Sequence, residues 1–330
     1  MRLVTFEVTT PVGRFERLGA LVEGEIVDLN AAFGACLLHS GHGDQAARLA
    51  DVDAPPDLLR FLEMGSCGWE AAAKALDFAA KVRGSGETVE GPRGEQLFYR
   101  PETARLLAPL PRPVSLRDFL TFEAHAKVGY ARRGEPIPEA WYQMPLYYKG
   151  NARSIVGPEA DVLWPPYTRR LDYELELACV IGRRGRDLPV EEADRHIAGY
   201  TVMNDWSARD IQKGEMAARL GPAKGKDFAT SLGPCLVTPD ELDPRNLRML
   251  ARVNGEVWSE GNSGSSHWTF PQMIAHASMA ETLYPGEVFG SGTVGGGCGL
   301  ELDRWLEPGD VVELEIEGIG VLRNRVVKPA

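Results

Sequence analysis

The sequence predicts a mainly β protein with α+β elements, made of a small N-terminal α+β domain and a larger β-rich domain. Its 330 residues exceed the usual size of a single domain, so two unequal domains are expected. The stretch 109–113 contains three prolines, which stiffen the chain and disfavour helix. Beyond it, short strand patterns alternate with Gly, Pro and Asn turns, which favours a β-rich fold. We place the two domains at residues 1–105 and 106–330.

Composition and charge narrow the class of protein. Hydrophobic residues make up 44% of the chain and charged residues 25%, as in ordinary soluble proteins. The formal net charge of −11 and the absence of a Lys/Arg-rich block argue against a nucleic-acid or anionic-membrane partner. The five cysteines form no C-x-x-C pair, which indicates reduced thiols in a cytoplasm and neither a disulfide framework nor a zinc site. Residues 1–7 contain an acid where a signal peptide needs an apolar core, and no apolar run reaches the length of a membrane span.

The first domain is predicted to combine a small antiparallel meander with helices. Strand-like patterns lie at residues 2–6, 20–22 and 26–29. A turn at Glu23 and Gly24 separates the last two. Helical patterns follow at 57–63 and 69–82, the second of which stops at Gly84. This domain shows no cluster of acids and bases, so we expect the functional residues in the second domain.

The most informative stretch of the chain is the strand-like run 171–180. It carries an acid at every second position: Asp172, Glu174 and Glu176. Because side chains of a strand alternate between faces, the three acids are predicted to share one face. Like charges this close repel each other, and a hard divalent cation would offset the repulsion. The alternative is a solvated sheet face, which fits less well because the run continues into apolar residues at 180–182.

Two further segments carry polar groups where a cleft or a metal site could use them. Residues 117–125 follow a helical pattern in which Asp118 and His125 fall on nearly the same face. A carboxylate and an imidazole could then face one cleft, although a surface helix with a chance acid and histidine is the alternative. Asp205 follows the apolar strand 199–203, where the chain turns into a helix. That position suits a metal ligand or, alternatively, an N-cap.

Two glycine-rich segments complete the set of candidates. In residues 221–230 the glycines would let the backbone approach a ligand, and Lys226 could meet an anionic substrate, but the spacing is not that of a P-loop. Residues 290–299 contain six glycines, yet they form no G-x-G-x-x-G fingerprint inside a βαβ unit. A dinucleotide cofactor is therefore not expected.

Taken together, these segments resemble the fumarylacetoacetate hydrolase (FAH) family over residues 105–330. The matching motifs, in chain order, are Asp118…His125, Tyr148-Lys149-Gly150, Leu171–Glu176, Asn204–Gln212, Gly225-Lys226 and Gly292-Thr293. The D-x-E-x-E run and the sequence NDWSARDIQ are specific when they occur together. The resemblance implies an FAH-type mixed β-sandwich roll for the catalytic domain. It also implies a homodimer that acts on a small-molecule oxo acid.

The resemblance further implies a metal site. Asp118, Glu174, Glu176 and Asp205 match the ligands of a divalent cation, usually Mg²⁺, with Ca²⁺ or Mn²⁺ as alternatives. Four carboxylates suit a hard, oxygen-preferring ion and not zinc. Asp172 is then expected to support the site without binding the ion.

Catalytic and substrate-binding roles are implied in the same way. A histidine at the position of His125 deprotonates water, and a glutamate at the position of Glu301 orients it. This pairing makes chemical sense, because a carboxylate fixes the imidazole tautomer and supports its protonated form. Lys226 and Gln212 match residues that bind or polarise the substrate and hold its developing negative charge. The substrate-binding positions implied by the resemblance are Arg133, with Arg132 as the alternative register, Tyr148, Thr230 and Thr293.

The resemblance implies a metal-dependent hydrolase that cleaves a carbon–carbon bond of a 1,3-diketo acid of the fumarylacetoacetate or acylpyruvate type, as in the catabolism of aromatic compounds. Decarboxylases, hydratases and isomerases of 2-oxo acids use the same metal site, so the reaction class stays open. The presence of both His125 and Glu301 favours hydrolysis, because decarboxylation needs no activated water. A non-catalytic metal-binding protein is the remaining alternative.

Overall fold

The N-terminal strands form the antiparallel meander that the sequence predicts. A computed structural model describes residues 1–329 of the protein. Its first strands are β1 (Arg2–Thr10), β2 (Gly13–Val22) and β3 (Glu25–Asp28). β1 pairs antiparallel with β2, and β2 pairs antiparallel with β3. The turn between β2 and β3 lies at Glu23 and Gly24, and both residues have the positive φ that a tight hairpin of this kind requires.

Four helices belong to the same unit as the meander. They are α1 (Leu29–His39), α2 (Ala46–Asp53), α3 (Leu58–Glu63) and α4 (Ser66–Ser85). α3 begins where predicted, because the Asp57 carboxylate accepts a hydrogen bond from the Arg60 N–H and acts as the N-cap. α4 is longer than predicted. It continues through Gly84 and stops at Gly86, whose φ of 71° is the left-handed conformation that favours glycine.

The first unit ends inside the proline-rich connector. Its last strands are β4 (Phe98–Tyr99), which pairs with β3, and β5 (Arg105–Leu106), which pairs with β1. The chain divides into a unit from Met1 to Leu110 and a second unit that starts at Pro111. A boundary at residue 105 therefore falls on β5, whose pairing with β1 ties Leu106 to the first unit.

The second unit consists mainly of short strands. These strands are β6 (Ser115–Phe119), β7 (Tyr147–Gly150), β8 (Ile155–Val156), β9 (Asp161–Leu163), β10 (Leu171–Asp172), β11 (Leu175–Ile181), β12 (Gly185–Arg186), β13 (Ile197–Asp205), β14 (Ser207–Ala208), β15 (Thr230–Val237), β16 (Arg248–Val253), β17 (Glu256–Asn262), β18 (Thr282–Leu283), β19 (Glu287–Gly290), β20 (Val311–Ile316) and β21 (Gly320–Val327). Its helices are α5 (Glu123–Ala131), α6 (Glu139–Gln143), α7 (Val190–Ala193), α8 (Arg209–Ala217), α9 (Phe270–Ser278) and α10 (Gly299–Leu302). Across residues 1–329, no helix has both the length and the apolar composition needed to cross a membrane.

Apart from two small two-stranded sheets, β10-β14 and β12-β18, the strands of the second unit build two larger sheets. One follows the order β15-β13-β11-β19-β6-β7, and the other follows β17-β16-β20-β21-β9. Most neighbours are antiparallel, but β19 pairs parallel with β6 and β21 pairs parallel with β9, so both sheets are mixed. β20 and β21 of the smaller sheet contact β13 and β15 of the larger one. This arrangement confirms the predicted mainly β fold with α+β elements.

The core of the larger sheet is formed by β11 and β13. Every residue of both strands is buried, including the acids Glu176 and Asp205. Burial on both faces explains why these strands consist mostly of apolar residues. Any carboxylate carried by β11 or β13 is thus held in a low-dielectric interior, where its charge needs a partner.

The predicted helix over residues 117–125 is wrong. Ser115–Phe119 forms β6, which pairs with β7 and β19, and α5 begins only at Glu123. Local spacing could not reveal this, because β19 lies far along the chain from β6. Asp118 therefore belongs to a strand, whereas His125 lies in the first turn of the following helix.

Candidate metal centre and catalytic dyad

The acid-bearing run does not form one continuous strand. Tyr173 and Glu174 separate β10 from β11. Glu174 forms an isolated antiparallel bridge with Cys298, and its backbone N–H donates to the Asn204 side chain at 2.9 Å. The prediction of three acids on one face of a single strand is therefore wrong, because the break at Glu174 gives the acids different surroundings.

The alternative of a solvated sheet face is also wrong. Asp172, Glu174 and Glu176 are at most 3% exposed. Buried carboxylates need compensating partners, because the interior solvates charge far less well than water does. The partners of these acids therefore define what the site can do.

Three carboxylates converge in the second unit. Asp118 of β6, Glu174 in the break before β11 and Glu176 within β11 each offer one oxygen, and these oxygens lie within 4.8 Å of one another. The register explains the convergence, since Gly290 of β19 pairs with Asp118 on one side and with Ala178 of β11 on the other. A Cβ atom at Gly290 would lie 2.6 Å from Oδ1 of Asp118 and 3.0 Å from Oε2 of Glu176. Glycine at this position leaves room for both carboxylates.

Three carboxylate oxygens at this point are buried and have no hydrogen-bond partner among residues 1–329. They are Oδ1 of Asp118, Oε2 of Glu176 and Oδ1 of Asp205. Asp205 ends β13, and its Oδ2 accepts a hydrogen bond of 2.6 Å from the Tyr148 hydroxyl. Leaving one such atom unsatisfied costs about 1–3 kcal/mol or more. A divalent cation that prefers carboxylate oxygens fits this donor set.

The pKa values of the acids also indicate that a cation would stabilise their ionised forms. Burial, reinforced by neighbouring carboxylates, raises the pKa of Asp118 and of Glu176 well above its ordinary value. Burial also raises the pKa of Asp205, although the charge of Lys226 opposes the shift. Since a cation stabilises the ionised form of each carboxyl, these three groups are the ones that gain most from a bound ion.

The ammonium of Lys226 compensates Glu174 and Asp205. Its Nζ lies 2.5 Å from Oε2 of Glu174 and also contacts Oδ2 of Asp205. Burial works against the charged form of Lys226, but the two carboxylates outweigh burial and raise its pKa above the ordinary value. Burial likewise opposes ionisation of Glu174, yet Lys226 and Arg209 lower its pKa to about 2. Lys226 and Glu174 are therefore both charged at neutral pH.

His125 and Glu301 form a hydrogen-bonded dyad beside these acids. The Nδ1–H of His125 donates to Oε1 of Glu301, and Oε2 accepts a hydrogen bond from the Gly296 N–H. The carboxylate partner assigns the neutral imidazole to the Nδ1-protonated tautomer, which leaves Nε2 able to accept a proton. His125 is close enough to Glu174 that its protonated form helps to lower the pKa of that carboxyl. The dyad can therefore act as a base toward a molecule held at the acids.

The chain matches a known enzyme family over most of its second unit. A family model for the C-terminal part of fumarylacetoacetate (FAA) hydrolase covers residues 116–327. The chain belongs to the fumarylacetoacetate hydrolase family. Human mitochondrial oxaloacetate tautomerase FAHD2A is 34% identical over 330 residues, which cover 99% of this chain and 92% of that protein.

Solved structures show the same fold. The fumarylacetoacetate hydrolase of psychrophilic Exiguobacterium antarcticum is 26% identical, with a TM-score of 0.69 over 99% of this chain and 100% of that one. The maleylpyruvate hydrolase of Sphingobium sp. SYK-6, in complex with manganese(II) and pyruvate, is 23% identical, with a TM-score of 0.68 over 100% of both chains. Solved structures of proteins named as hydrolases thus share this fold, and a protein named as a tautomerase matches the sequence along 99% of the chain, so the comparisons establish the family without selecting one reaction.

Two further polar residues implied by the FAH resemblance, Thr293 and Gln212, hydrogen-bond to Glu176 and to Arg209. The Thr293 hydroxyl donates to Oε1 of Glu176 at 3.2 Å. Oε1 of Gln212 accepts a hydrogen bond of 3.1 Å from Nη1 of Arg209. Thr230 is buried at the start of β15, where it pairs in register with the last residue of β13.

Arg133, in contrast, contacts residues outside the group of predicted metal ligands. Its guanidinium stacks over the Tyr130 ring at 4.3 Å, and its Nε lies 3.5 Å from Glu135. Arg132, the alternative register, pairs with Asp303 at 2.9 Å. Throughout residues 1–329, no hydrogen bond or ion pair joins either arginine to the four predicted metal ligands. A role in substrate binding for Arg133 stays a prediction.

Arg209 is a site residue that the sequence analysis did not identify. Its Nε donates to Oδ2 of Asp172 at 2.7 Å, and its Nη1 lies 2.8 Å from Oε1 of Glu174. Asp172 also accepts hydrogen bonds of 2.8 and 3.0 Å from the first two N–H groups of α10, the helix that carries Glu301. These contacts fit the supporting role that the sequence analysis expected for Asp172. The signal for Arg209 was its place in NDWSARDIQ, but its partners are distant in sequence.

Proposed function

We propose that this protein hydrolyses a carbon–carbon bond of a 1,3-dioxo acid of the fumarylacetoacetate or acylpyruvate type. The observation that carries the proposal is the His125–Glu301 hydrogen bond beside the buried acids. A base placed there can take a proton from water while the substrate oxygens are held next to it. Glu301 fixes the tautomer of His125 and supports the imidazolium that forms.

Asp118, Glu174, Glu176 and Asp205 are the proposed ligands of a divalent cation, Mg²⁺ in the first place, with Ca²⁺ or Mn²⁺ as alternatives. The unsatisfied oxygens of Asp118, Glu176 and Asp205 support this assignment. When bound, such an ion supplies Lewis-acid polarisation of the substrate oxygens. The four side chains hold it in a fixed place relative to His125.

The bond changes balance as follows. Hydroxide from water adds to one carbonyl carbon, and the proton released goes to Nε2 of His125. The carbon–carbon bond next to that carbonyl then breaks, and its electron pair passes to the leaving enolate. Lys226, with Gln212 near it, offsets the negative charge of that enolate. Transfer of the proton to the enolate carbon completes two products, a carboxylic acid and a 2-oxo acid.

We propose that Arg133, Tyr148, Thr230 and Thr293 contact the substrate in this reaction. Tyr148 and Thr293 are the better supported of the four, because each is hydrogen-bonded to a proposed metal ligand. We also propose a homodimer that acts in the cytoplasm. The five cysteines, all free, support a reducing compartment.

A second candidate is the isomerisation of a 2-oxo acid between its enol and keto forms. The similarity to a tautomerase along 99% of the chain favours it. The same dyad could move a proton between carbon and oxygen, with Lys226 again next to the enolate. This reaction differs from the first because no water adds and no carbon–carbon bond breaks.

One substrate panel separates these candidates. Magnesium-loaded protein is assayed with acylpyruvates, fumarylacetoacetate and oxaloacetate, each before and after complete chelation of the metal. We expect metal-dependent cleavage of a 1,3-dioxo acid. Ketonisation of oxaloacetate without cleavage would favour the second candidate, and turnover that survives complete removal of metal would contradict the metal assignment.

A further inference from the structure

We propose that His125, Cys298 and Glu301 form a second metal site, which takes zinc or a similar borderline-soft ion. Each of the three residues offers one ligand atom, and these atoms lie within 4.8 Å of one another. His125 belongs to α5, whereas Cys298 is the residue before α10 and Glu301 lies within that helix. The backbone bridge between Cys298 and Glu174 places this group next to the acids proposed to bind the oxygen-preferring ion.

The sequence pattern did not reveal this site. Zinc sites are read from paired cysteines or from closely spaced cysteines and histidines. Here a single cysteine joins a histidine from a distant helix, and only Cys298 and Glu301 are near each other in the chain. The fold, and not the spacing of the cysteines, brings the three donors together.

The donor chemistry separates this site from the acid cluster. Zinc binds thiolate sulfur, imidazole nitrogen and carboxylate oxygen, and His125, Cys298 and Glu301 supply one of each. Magnesium and calcium prefer oxygen and leave thiols alone. Zinc–ligand bonds place tetrahedral donor atoms roughly 3.3–3.8 Å apart, so donors that already lie within 4.8 Å need only small shifts. Three protein ligands with water in the fourth position is a common zinc arrangement.

Binding at this site exchanges protons for the ion. The thiol of Cys298 loses its proton as the sulfur–metal bond forms, and the proton between His125 and Glu301 is displaced as well. No group is oxidised or reduced. Cys298 is fully buried, while the His125 side chain is 13% exposed, so His125 is the donor of this group that is most open to solvent.

The consequence of occupancy rests on the proposed function, although the binding itself does not. An ion held by His125 and Glu301 removes the base and its supporting carboxylate from the reaction. Zinc should therefore inhibit turnover while the oxygen-bound ion stays in place. Added magnesium should not reverse the inhibition, because the two ions occupy different donors.

Cobalt(II) provides a direct probe of the site in the full-length protein. A cobalt–thiolate bond gives an intense near-ultraviolet charge-transfer absorption that oxygen and nitrogen ligands do not produce. Cobalt is titrated into protein that holds excess magnesium, with no substrate present. We expect the absorption to appear at one equivalent of cobalt and to disappear when zinc is added. Because no substrate is used, failure of the proposed reaction does not affect this result.

Variants assign the absorption to Cys298. Cys298→Ser and Cys298→Ala should abolish the band and weaken zinc binding by at least the roughly 10–100-fold that loss of an outer-shell partner causes. Cys67→Ser, which changes an exposed cysteine of the first unit, should keep the band. A folded Cys298 variant that keeps the band, or wild-type protein that binds cobalt without it, would overturn the proposal.

Discussion

The Nδ1–H of His125 donates a hydrogen bond to Oε1 of Glu301, whose second oxygen is held by the Gly296 N–H. The carboxylate that orients the imidazole is therefore itself fixed at both oxygens. As a result, the imidazole is held in one orientation, and so is its other ring nitrogen, Nε2. Disturbing the carboxylate should affect the rate of proton transfer more than the binding of substrate.

Replacing Glu301 by glutamine tests this relationship. The amide keeps a hydrogen-bond acceptor but removes the charge that supports the imidazolium. We expect kcat to fall on the order of 10–100-fold, with KM nearly unchanged. Steady-state kinetics on the turned-over oxo acid provide the measurement. Glu307→Gln, which changes an exposed glutamate, is the matched control and should leave kcat unchanged. An unaltered kcat in Glu301→Gln would show that the carboxylate does not support the base.

Gly290→Ala should weaken the binding of the divalent ion. The added methyl group would lie 2.6 Å from Oδ1 of Asp118 and 3.0 Å from Oε2 of Glu176, so one carboxylate must move. We expect the Kd for magnesium to rise about tenfold or more, as for other changes beside a metal ligand. Isothermal titration calorimetry measures it. Gly214→Ala is the control, because a Cβ atom there meets no other atom within 4 Å. Equal magnesium affinities in both variants would place the ion elsewhere.

Metal binding should stabilise the protein more at high pH than at low pH. Burial raises the folded-state pKa of Asp118 and Glu176 above the unfolded values. The metal-free folded state therefore holds protons that the unfolded chain releases, and its stability falls as pH rises between the two pKa values. A bound cation removes this loss, so the gain in Tm on adding magnesium should grow as the pH rises above the ordinary pKa of a carboxyl group.

Differential scanning fluorimetry with and without chelator measures that gain. The double variant Asp118→Asn, Glu176→Gln lacks both titrating groups and should show a small gain that varies little with pH. If the increase in Tm of the wild-type protein on adding magnesium did not change with pH, the assignment of these two acids would be contradicted.

Asp172→Asn should destabilise the second unit. Asp172 accepts hydrogen bonds from Arg209 and from the start of α10, and both it and Arg209 are buried. Removing one member of a buried ion pair costs about 3 kcal/mol of unfolding free energy. Urea denaturation measures the loss. Asp303→Asn, which breaks a solvent-exposed pair with Arg132, should cost less than about 1 kcal/mol. Equal losses in the two variants would mean that Asp172 does not anchor α10.

Sequence patterns predicted the elements whose signals are local. The meander of the first unit and the start of α3 at Asp57 follow from turn and cap residues, which act over a few positions. The acids at 174 and 176 stood out because like charges so close together need a partner. Local patterns also singled out Asp118, His125 and Asp205, and the resemblance to the FAH family then grouped them with Glu301 in one site, which no local pattern does.

The features that were missed depend on pairing across long stretches of chain. Asp118 was assigned to a helix because its parallel partner strand, β19, cannot be read from nearby residues. The break at Glu174 depends on a bridge to Cys298, which lies in the distant glycine-rich segment. Arg209 gains its significance only where the fold brings Asp172 and Glu174 to its guanidinium. In each case tertiary contacts, and not local propensity, decide the structure.

The central claim is that His125 acts as the base in a metal-dependent cleavage of a dioxo acid. The most direct measurement is the rate of 2-oxo acid release from an acylpyruvate by magnesium-loaded wild-type and His125→Ala protein, with magnesium affinity measured on both. We expect the rate to fall about 10²–10⁴-fold, the usual contribution of a general base, with magnesium affinity unchanged. Near wild-type turnover by His125→Ala with metal bound would contradict the account.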